Sequence, residues 1–235
     1  LVMAPAGGGR PYQDRLPVVS VTGAILAGGR SRRMGSNKAF LPFGGRRLIE
    51  HVLDVLRPLF PEVLIAANER APYAALGVPV HADCIPDKGP LGGIYTALAS
   101  SSHPRTFCLA CDMPLVSPAV VARLCRLAPD FDVVVPHSAK GYEPLHAVYS
   151  RSCLPHLEAM LREDRLRVDE LFRAVRVCRV DVEELRPLDP CLLSFLNLNT
   201  PEELAAAAAL FQERGAPATA GPLLCLSLRR HGGAR

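Results

Sequence analysis

The sequence predicts an α/β fold: a doubly wound, three-layer sandwich built on a mostly parallel mixed sheet. Two observations carry this. Short apolar runs bounded by Gly, Pro or polar residues recur through the first 136 positions, and segments with helical apolar spacing lie between them. Strands that alternate with helices form a parallel sheet covered on both faces. After residue 136 the rhythm changes, and that change makes the sheet mixed.

The run over 18–27 ends in Gly28-Gly29, and an apolar run of this length bounded by glycine reads as a buried strand. A helix follows over 46–56, with apolar residues at 48, 49, 52, 53 and 56, and Pro58 ends it. Residues 63–67 form the second strand, 72–76 a short helix and 78–81 the third strand. A helix over 93–100 leads to the fourth strand (106–110), and one over 118–127 to the fifth (132–136). This order is doubly wound and Rossmann-like. Residues 133–135 and 145–149 are then joined by a short loop containing Gly141, which predicts an antiparallel pair. Helices at 152–162 and 168–172 and a strand at 175–180 follow. Asn199 as a capping residue, Pro201 in the first turn, then Glu202 and Glu203 near the positive end mark the start of the last helix. It runs to about 213, where Gly215 stops it. The predicted organisation is a flexible lead over 1–17, one domain over 18–213 and a tail over 214–235.

Composition narrows the function. At 235 residues the chain supports one sizeable domain, and 49% hydrophobic with 21% charged residues suits a soluble globule. No apolar run approaches the length of a membrane span, and no secretory leader is expected. A scattered net charge of +4, with eight Phe, five Tyr and no Trp, argues against a nucleic-acid partner. The eight cysteines follow no disulfide-scaffold spacing. Cys108-x-x-Cys111 has the form of a redox or zinc motif, but on a strand positions three apart face opposite sides. No second Cys or His pair completes a zinc site. Buried free thiols in a reducing cytoplasm are therefore expected.

The chemistry concentrates after the first strand. Gly28 and Gly29 have no Cβ, so a ligand can approach their amides closely. Arg32, Arg33 and Lys38 place cations in the same loop, a combination that suits a polyphosphate. A Walker loop is excluded: Gly29 and Gly35 are separated by five residues rather than four, and Ala39 supplies no hydroxyl after Lys38. A Gly-x-Gly-x-x-Gly fingerprint is also absent. Open parallel sheets bind ligands outside the carboxyl ends of their strands. Those ends deliver Gly28 and Gly29, Asn68, Asp83 and Asp112. Asp112 is the expected holder of Mg2+ on the phosphates. A carboxylate at Asp83 suits a guanine edge or a ribose hydroxyl. Asp87 competes with it, and Asp83 is preferred because it abuts the strand. Asn68 serves as a similar ligand or as a turn residue. Lys38 beside a leaving pyrophosphate lowers the barrier, and Arg33 adds a bidentate donor. Arg30 and Arg32 read as solvated, and His146 reads as a packed strand residue.

Leu26-Ala27-Gly28-Gly29, Arg33-Met34-Gly35 and Lys38 resemble the signature of nucleotidyltransferases of the nucleotide-diphospho-sugar transferase type. The double glycine resembles the form in the molybdenum cofactor guanylyltransferases, the MobA-like group; cytidylyl relatives usually carry Leu-Ala-Ala-Gly. Cys111-Asp112-Met113-Pro114 resembles that group's metal-binding string, and Gly89-Pro90-Leu91-Gly92-Gly93 its helix-opening loop. The segments 141–146 and 197–204 resemble its acceptor-side strings. The resemblance covers about 22–210. It implies that GTP is bound by Leu26, Ala27, Gly28, Gly29, Lys38, Asn68, Asp83 and Asp112. Catalysis falls to Lys38, Arg33 and Asp112, with Mg2+ on Asp112. Molybdopterin is bound through Glu143, Arg167, Asn197 and Asn199 in the C-terminal half. For Arg165 and Arg167 a solvated helix end is an equal explanation, and Asn199 also suits a helix cap. The implied reaction transfers GMP from GTP to the phosphate of molybdenum-bearing molybdopterin, for delivery to recipient molybdoenzymes. The alternatives are a cytidylyl- or sugar-phosphate nucleotidyltransferase of the same fold, or a nucleotide-binding module without turnover.

Overall fold

The computed structural model describes residues 2–3, 20–28 and 37–214. In chain order the elements are β1 (Val2–Met3), β2 (Val21–Leu26), β3 (Pro42–Phe43), β4 (Arg46–Arg47), α1 (Leu48–Leu56), β5 (Glu62–Ala66), β6 (Val80–His81), α2 (Gly89–Ser100) and β7 (Arg105–Ala110). There follow α3 (Pro118–Leu127), β8 (Val133–Ser138), β9 (Gly141–Tyr142), β10 (His146–Ser150), α4 (Leu154–Arg162), α5 (Val168–Leu171), β11 (Val177–Asp181) and α6 (Pro201–Arg214).

The main sheet runs β1-β11-β8-β10-β7-β2-β5-β6, with β9 on β8. Its pairs are parallel except where β10 runs against both β7 and β8, and β9 against β8. Alternating residues of each strand face opposite layers. Ile25, Ile65, Phe107, Leu109 and Val134 pack against α1 and α3. Ala24, Leu26, Leu64, Cys108 and Val133 pack against α2, α4 and α5. The result is the expected three-layer sandwich, and Cys108 and Cys111 do lie in opposite layers. Burial pushes the Cys111 thiol up to about 12. Six described cysteines are free; Cys191 departs from the expectation and is disulfide-bonded.

From β2 the chain steps outward to β5 and β6, then crosses through α2 to β7 on the other side of β2. The carboxyl ends of β2 and β7 therefore flank the topological switch point, where a ligand crevice belongs. A third, small core lies beside that edge: Phe43, Leu48, Leu115, Leu193, Leu198 and Ala207 join the β3–β4 hairpin to the C-terminal segment.

Four details differ from the sequence reading. Arg46 and Arg47 form a strand paired with Phe43 and Pro42, so the helix begins at Leu48. Gly44 and Gly45, both at positive φ, make the tight turn that permits this hairpin. The helix after β6 begins at Gly89 rather than at 93, with Pro90 in its first turn. Val2–Met3 is an edge strand parallel to β11, within the segment expected to be a flexible lead. Finally, β10 is inserted between β7 and β8 and pairs with both. The proposed helix stop at Gly215 and the tail lie outside the described residues.

Candidate active site at the carboxyl edge of the sheet

Lys38 opens a single turn of 3-10 helix, Lys38–Phe40, capped by the Asn37 side chain, whose Oδ1 accepts from the Ala39 N–H at 3.1 Å. From there Lys38 Nζ donates to Asn199 Oδ1 at 2.5 Å and lies 3.6 Å from Asp112 Oδ2. Three residues from three distant parts of the chain thus meet at the switch point. Asp112 lies two residues beyond the Ala110 end of β7, and its side chain is only 16% exposed. Burial raises its carboxyl above the usual carboxylate range, and the Lys38 ammonium pulls it back part of the way.

The C-terminal arm of this group is held by successive hydrogen bonds. Buried Asp189 accepts from the Ser194 N–H at 2.7 Å, and Ser194 Oγ accepts from the Ser117 N–H at 2.8 Å. The Ser194 carbonyl accepts from His146 Nδ1 at 3.1 Å. The Leu198 N–H then donates to the Asp112 carbonyl at 2.9 Å, which sets Asn197 and Asn199 on either side of that contact. Asn197 Oδ1 is buried with no hydrogen-bond partner, a state that a ligand donor would relieve. The helix cap expected of Asn199 belongs to Thr200: its Oγ1 accepts from the Glu203 N–H, and Glu203 Oε2 accepts from the Thr200 and Asn199 N–H groups. This is a capping box, and it leaves the Asn199 amide for Lys38.

A second group lies at the ends of β2, β5 and β6. Asn68 Oδ1 accepts from the Asp83 N–H at 3.4 Å. A Cβ built on Gly28 would come within 3.7 Å of Asp83 Oδ2, so the bare glycine and the carboxylate share one wall. Asp83 Oδ1 is buried without a partner, and burial raises its carboxyl, with the Asp87 charge adding to the rise. An acceptor kept dry beside an exposed glycine backbone is suited to an N–H or O–H donor. Ala27 is fixed by its N–H, which donates to the Ala66 carbonyl at 3.0 Å. Gly92 admits the loop before α2: a Cβ there would stand 2.9 Å from Lys88 Cβ.

A scan against family models matches residues 23–177 to the MobA-like NTP transferase domain. The chain belongs to that family. It is 40% identical over 192 residues to a molybdenum cofactor guanylyltransferase of Desulfosudis oleivorans, covering 81% of this chain and 95% of the relative. To the molybdenum cofactor guanylyltransferase of Vibrio cholerae it is 35% identical over 189 residues, covering 79% and 90%. Among solved structures, molybdopterin-guanine dinucleotide biosynthesis protein A of Archaeoglobus fulgidus superposes with a TM-score of 0.73 at 28% identity, covering 82% of this chain and 99% of that one.

The two groups gather Leu26, Ala27, Gly28, Lys38, Asn68, Asp83 and Asp112 of the MobA-like domain along one sheet edge, and Asn197 and Asn199 join them from beyond the matched residues. Gly29 and Arg33 lie outside the described residues. Glu143 is elsewhere, on the β9 side, where its Oε1 accepts from Ser138 Oγ at 2.9 Å and burial raises its carboxyl. Arg167 precedes α5, is exposed and pairs with Asp169 at 2.8 Å; among the described residues it makes no hydrogen bond to the Lys38 group. His146 is fully buried and packed between Phe107 and Phe195, as the sequence suggested. Two contributors were not foreseen, Asn37 and Tyr73, while Glu203, expected only as an acid at the helix start, also holds the Asn199 N–H. Asn37 stands next to Lys38 and could have been read as a cap. Nothing local marks Tyr73, whose role is purely tertiary.

Proposed function

We propose that the chain transfers GMP from GTP to the terminal phosphate of molybdenum-bearing molybdopterin, forming the guanine dinucleotide cofactor. An oxygen of that phosphate attacks the α-phosphorus, the bond from the α-phosphorus to the bridging oxygen breaks, and pyrophosphate leaves. A phosphate is already nucleophilic, so alignment and charge are what the protein supplies. The observation that carries the reading is the convergence of Lys38 on Asp112 and Asn199. The relatives named molybdenum cofactor guanylyltransferase support guanine and the pterin acceptor.

In this reading Lys38, with Arg33, meets the charge that develops on the leaving pyrophosphate. The amides at Gly28 and Gly29 let the nucleotide approach the backbone, and Asp83 and Asn68 accept from the guanosine. Asn197 and Asn199 face the acceptor, and the family resemblance adds Glu143 and Arg167 as further acceptor ligands. Asp112 fits a magnesium ion: it is a largely buried carboxylate just beyond the carboxyl end of β7, at the switch point of the sheet. An ion with one protein carboxylate and phosphate and water ligands is the usual state of Mg2+. When bound, it neutralises phosphate charge and favours in-line geometry. Among the described residues no helix is long and apolar enough to cross a membrane. A cytoplasmic setting, no nucleic-acid partner and delivery to molybdoenzymes complete the proposal.

The test is pyrophosphate release by the purified full chain with Mg2+, GTP and molybdopterin. Release that requires all three is expected, and its absence refutes the reading. Equal thermal stabilisation by CTP and GTP refutes the guanine assignment alone.

A further inference from the structure

Tyr73 lies in the 3-10 turn Ala71–Leu76 and is 1% exposed. Its ring packs on Phe40 at 4.9 Å between centroids, and the Arg47 guanidinium lies over that Phe40 ring at 5.4 Å. A phenylalanine would satisfy that packing. The hydroxyl does something further. It donates to the Ala27 carbonyl at 3.1 Å and accepts from Asn37 Nδ2 at 2.7 Å. Both capacities of the phenol are therefore used, and a buried hydroxyl needs such partners. The two partners are not arbitrary. Ala27 precedes Gly28 and is itself anchored to Ala66 on β5. Asn37 precedes Lys38 and, through Oδ1 and the Ala39 N–H, caps the turn that aims it. Asn37 thus uses one amide face to hold the lysine's turn and the other to reach Tyr73.

We propose that Tyr73 is a positioning residue for phosphate chemistry at this edge: its hydroxyl fixes the separation between the glycine end of β2 and Lys38. It touches no substrate and acts through Asn37 and Ala27. The proposal rests on Lys38 being a phosphate-binding cation, as in the function proposed above. Without the hydroxyl, the lysine's turn loses its tie to β2, and the ammonium spends less time where Asp112 and Asn199 meet it.

The test uses the full chain with inorganic pyrophosphate and Mg2+ as the calorimetric probe. Tyr73→Phe keeps the ring and removes both hydrogen bonds, and pyrophosphate affinity is expected to fall roughly tenfold. Lys38→Met lowers affinity on its own, and adding Tyr73→Phe to it is expected to change little, because no ammonium remains to be aimed. A merely structural tyrosine would give equal losses in both backgrounds. Asn37→Ser retains a turn cap but cannot reach the phenol, so it should reproduce the Tyr73→Phe loss even if that variant folds poorly. Affinity within twofold of wild type in both Tyr73→Phe and Asn37→Ser overturns the proposal, as does full additivity with Lys38→Met. A wild-type chain that binds no pyrophosphate overturns it together with the Lys38 assignment. A chain that binds pyrophosphate but transfers no GMP refutes only the guanylyl reading and leaves the affinity comparison decisive.

Discussion

His146→Phe should make the chain less sensitive to acid. The imidazole is 0% exposed, donates through Nδ1 to the Ser194 carbonyl at 3.1 Å and has a buried Nε2 without a partner. Burial lowers its pKa from 6.5 to about 3, against the pull of the Ser194 hydrogen bond. The folded chain therefore keeps the ring neutral, while the unfolded chain takes up a proton below about pH 6.5. Its contribution is fully present above that pH and is lost progressively as the pH falls toward 3. At 1.36 kcal/mol per unit, the full loss is about 5 kcal/mol, and about 2 kcal/mol is already gone at pH 5. Phenylalanine fits the same aromatic slot between Phe107 and Phe195 but does not titrate. It will cost stability at pH 7.5 through the stranded Ser194 carbonyl, about 1–3 kcal/mol. Urea unfolding of both chains at pH 7.5, 6 and 5 separates the two effects. Every other ionisable group is common to both, so wild type should lose about 2 kcal/mol more than the variant between pH 7.5 and 5. Parallel stability curves would refute the assignment of a neutral buried ring. Because this contact holds the turn that leads to Asn197 and Asn199, acid should loosen that arm of the site first.

Three further outcomes are expected. Lys38→Met and Asp112→Asn should each lower the rate of pyrophosphate release by about 10²–10³-fold, and Asp112→Asn should also flatten the dependence on Mg2+. Gly28→Ala should leave the melting temperature nearly unchanged, since the new Cβ meets Asp83 Oδ2 at an ordinary 3.7 Å, yet weaken GTP in a nucleotide titration by filling the approach to the backbone. At the opposite end of the sheet, Glu62 is held at about 2: burial pushes it up, but hydrogen bonds from Thr22, Ser102 and His103 outweigh that. Its contribution is present above about pH 4.5 and is lost as the pH falls toward 2, so Glu62→Gln should cost about 2 kcal/mol in chemical denaturation at pH 7 and little at pH 2, with turnover unaffected at pH 7.

The strands were readable because most are buried on both faces, so each appears as a short apolar run with abrupt ends. That also made the nucleotide side of the site readable. Once β2, β5, β6 and β7 are recognised, the residues at their carboxyl ends follow from the handedness and order of the connections. The β3–β4 hairpin was less visible. Two-residue strands are too short to alternate, and Arg46 and Arg47 read as the first turn of the amphipathic α1. The Gly44-Gly45 pair was the available clue. The insertion of β10 between β7 and β8 left no local mark either, because either partner offers it the same apolar faces.

On the acceptor side one residue answers to two readings. Asn199 stands in the string that resembles the family's acceptor side, and its place before a helix also suits a cap. The deciding residues are Thr200 and Glu203, which satisfy the helix start between them. The Asn199 amide is then free to meet a lysine that is remote in sequence. What brings them together is the small third core, in which Leu193, Leu198 and Ala207 pack on Phe43, Leu48 and Leu115. None of these residues has a periodicity that names its partner. Removing one of them, as in Leu198→Ala, opens a cavity worth about 2–5 kcal/mol, but only in the core that docks the C-terminal arm. Pyrophosphate release should therefore fall more than GTP affinity, because Gly28, Asp83 and Asn68 rest on the main sheet and stay in place. Equal losses in both would mean that the arm and the nucleotide wall form one cooperative unit.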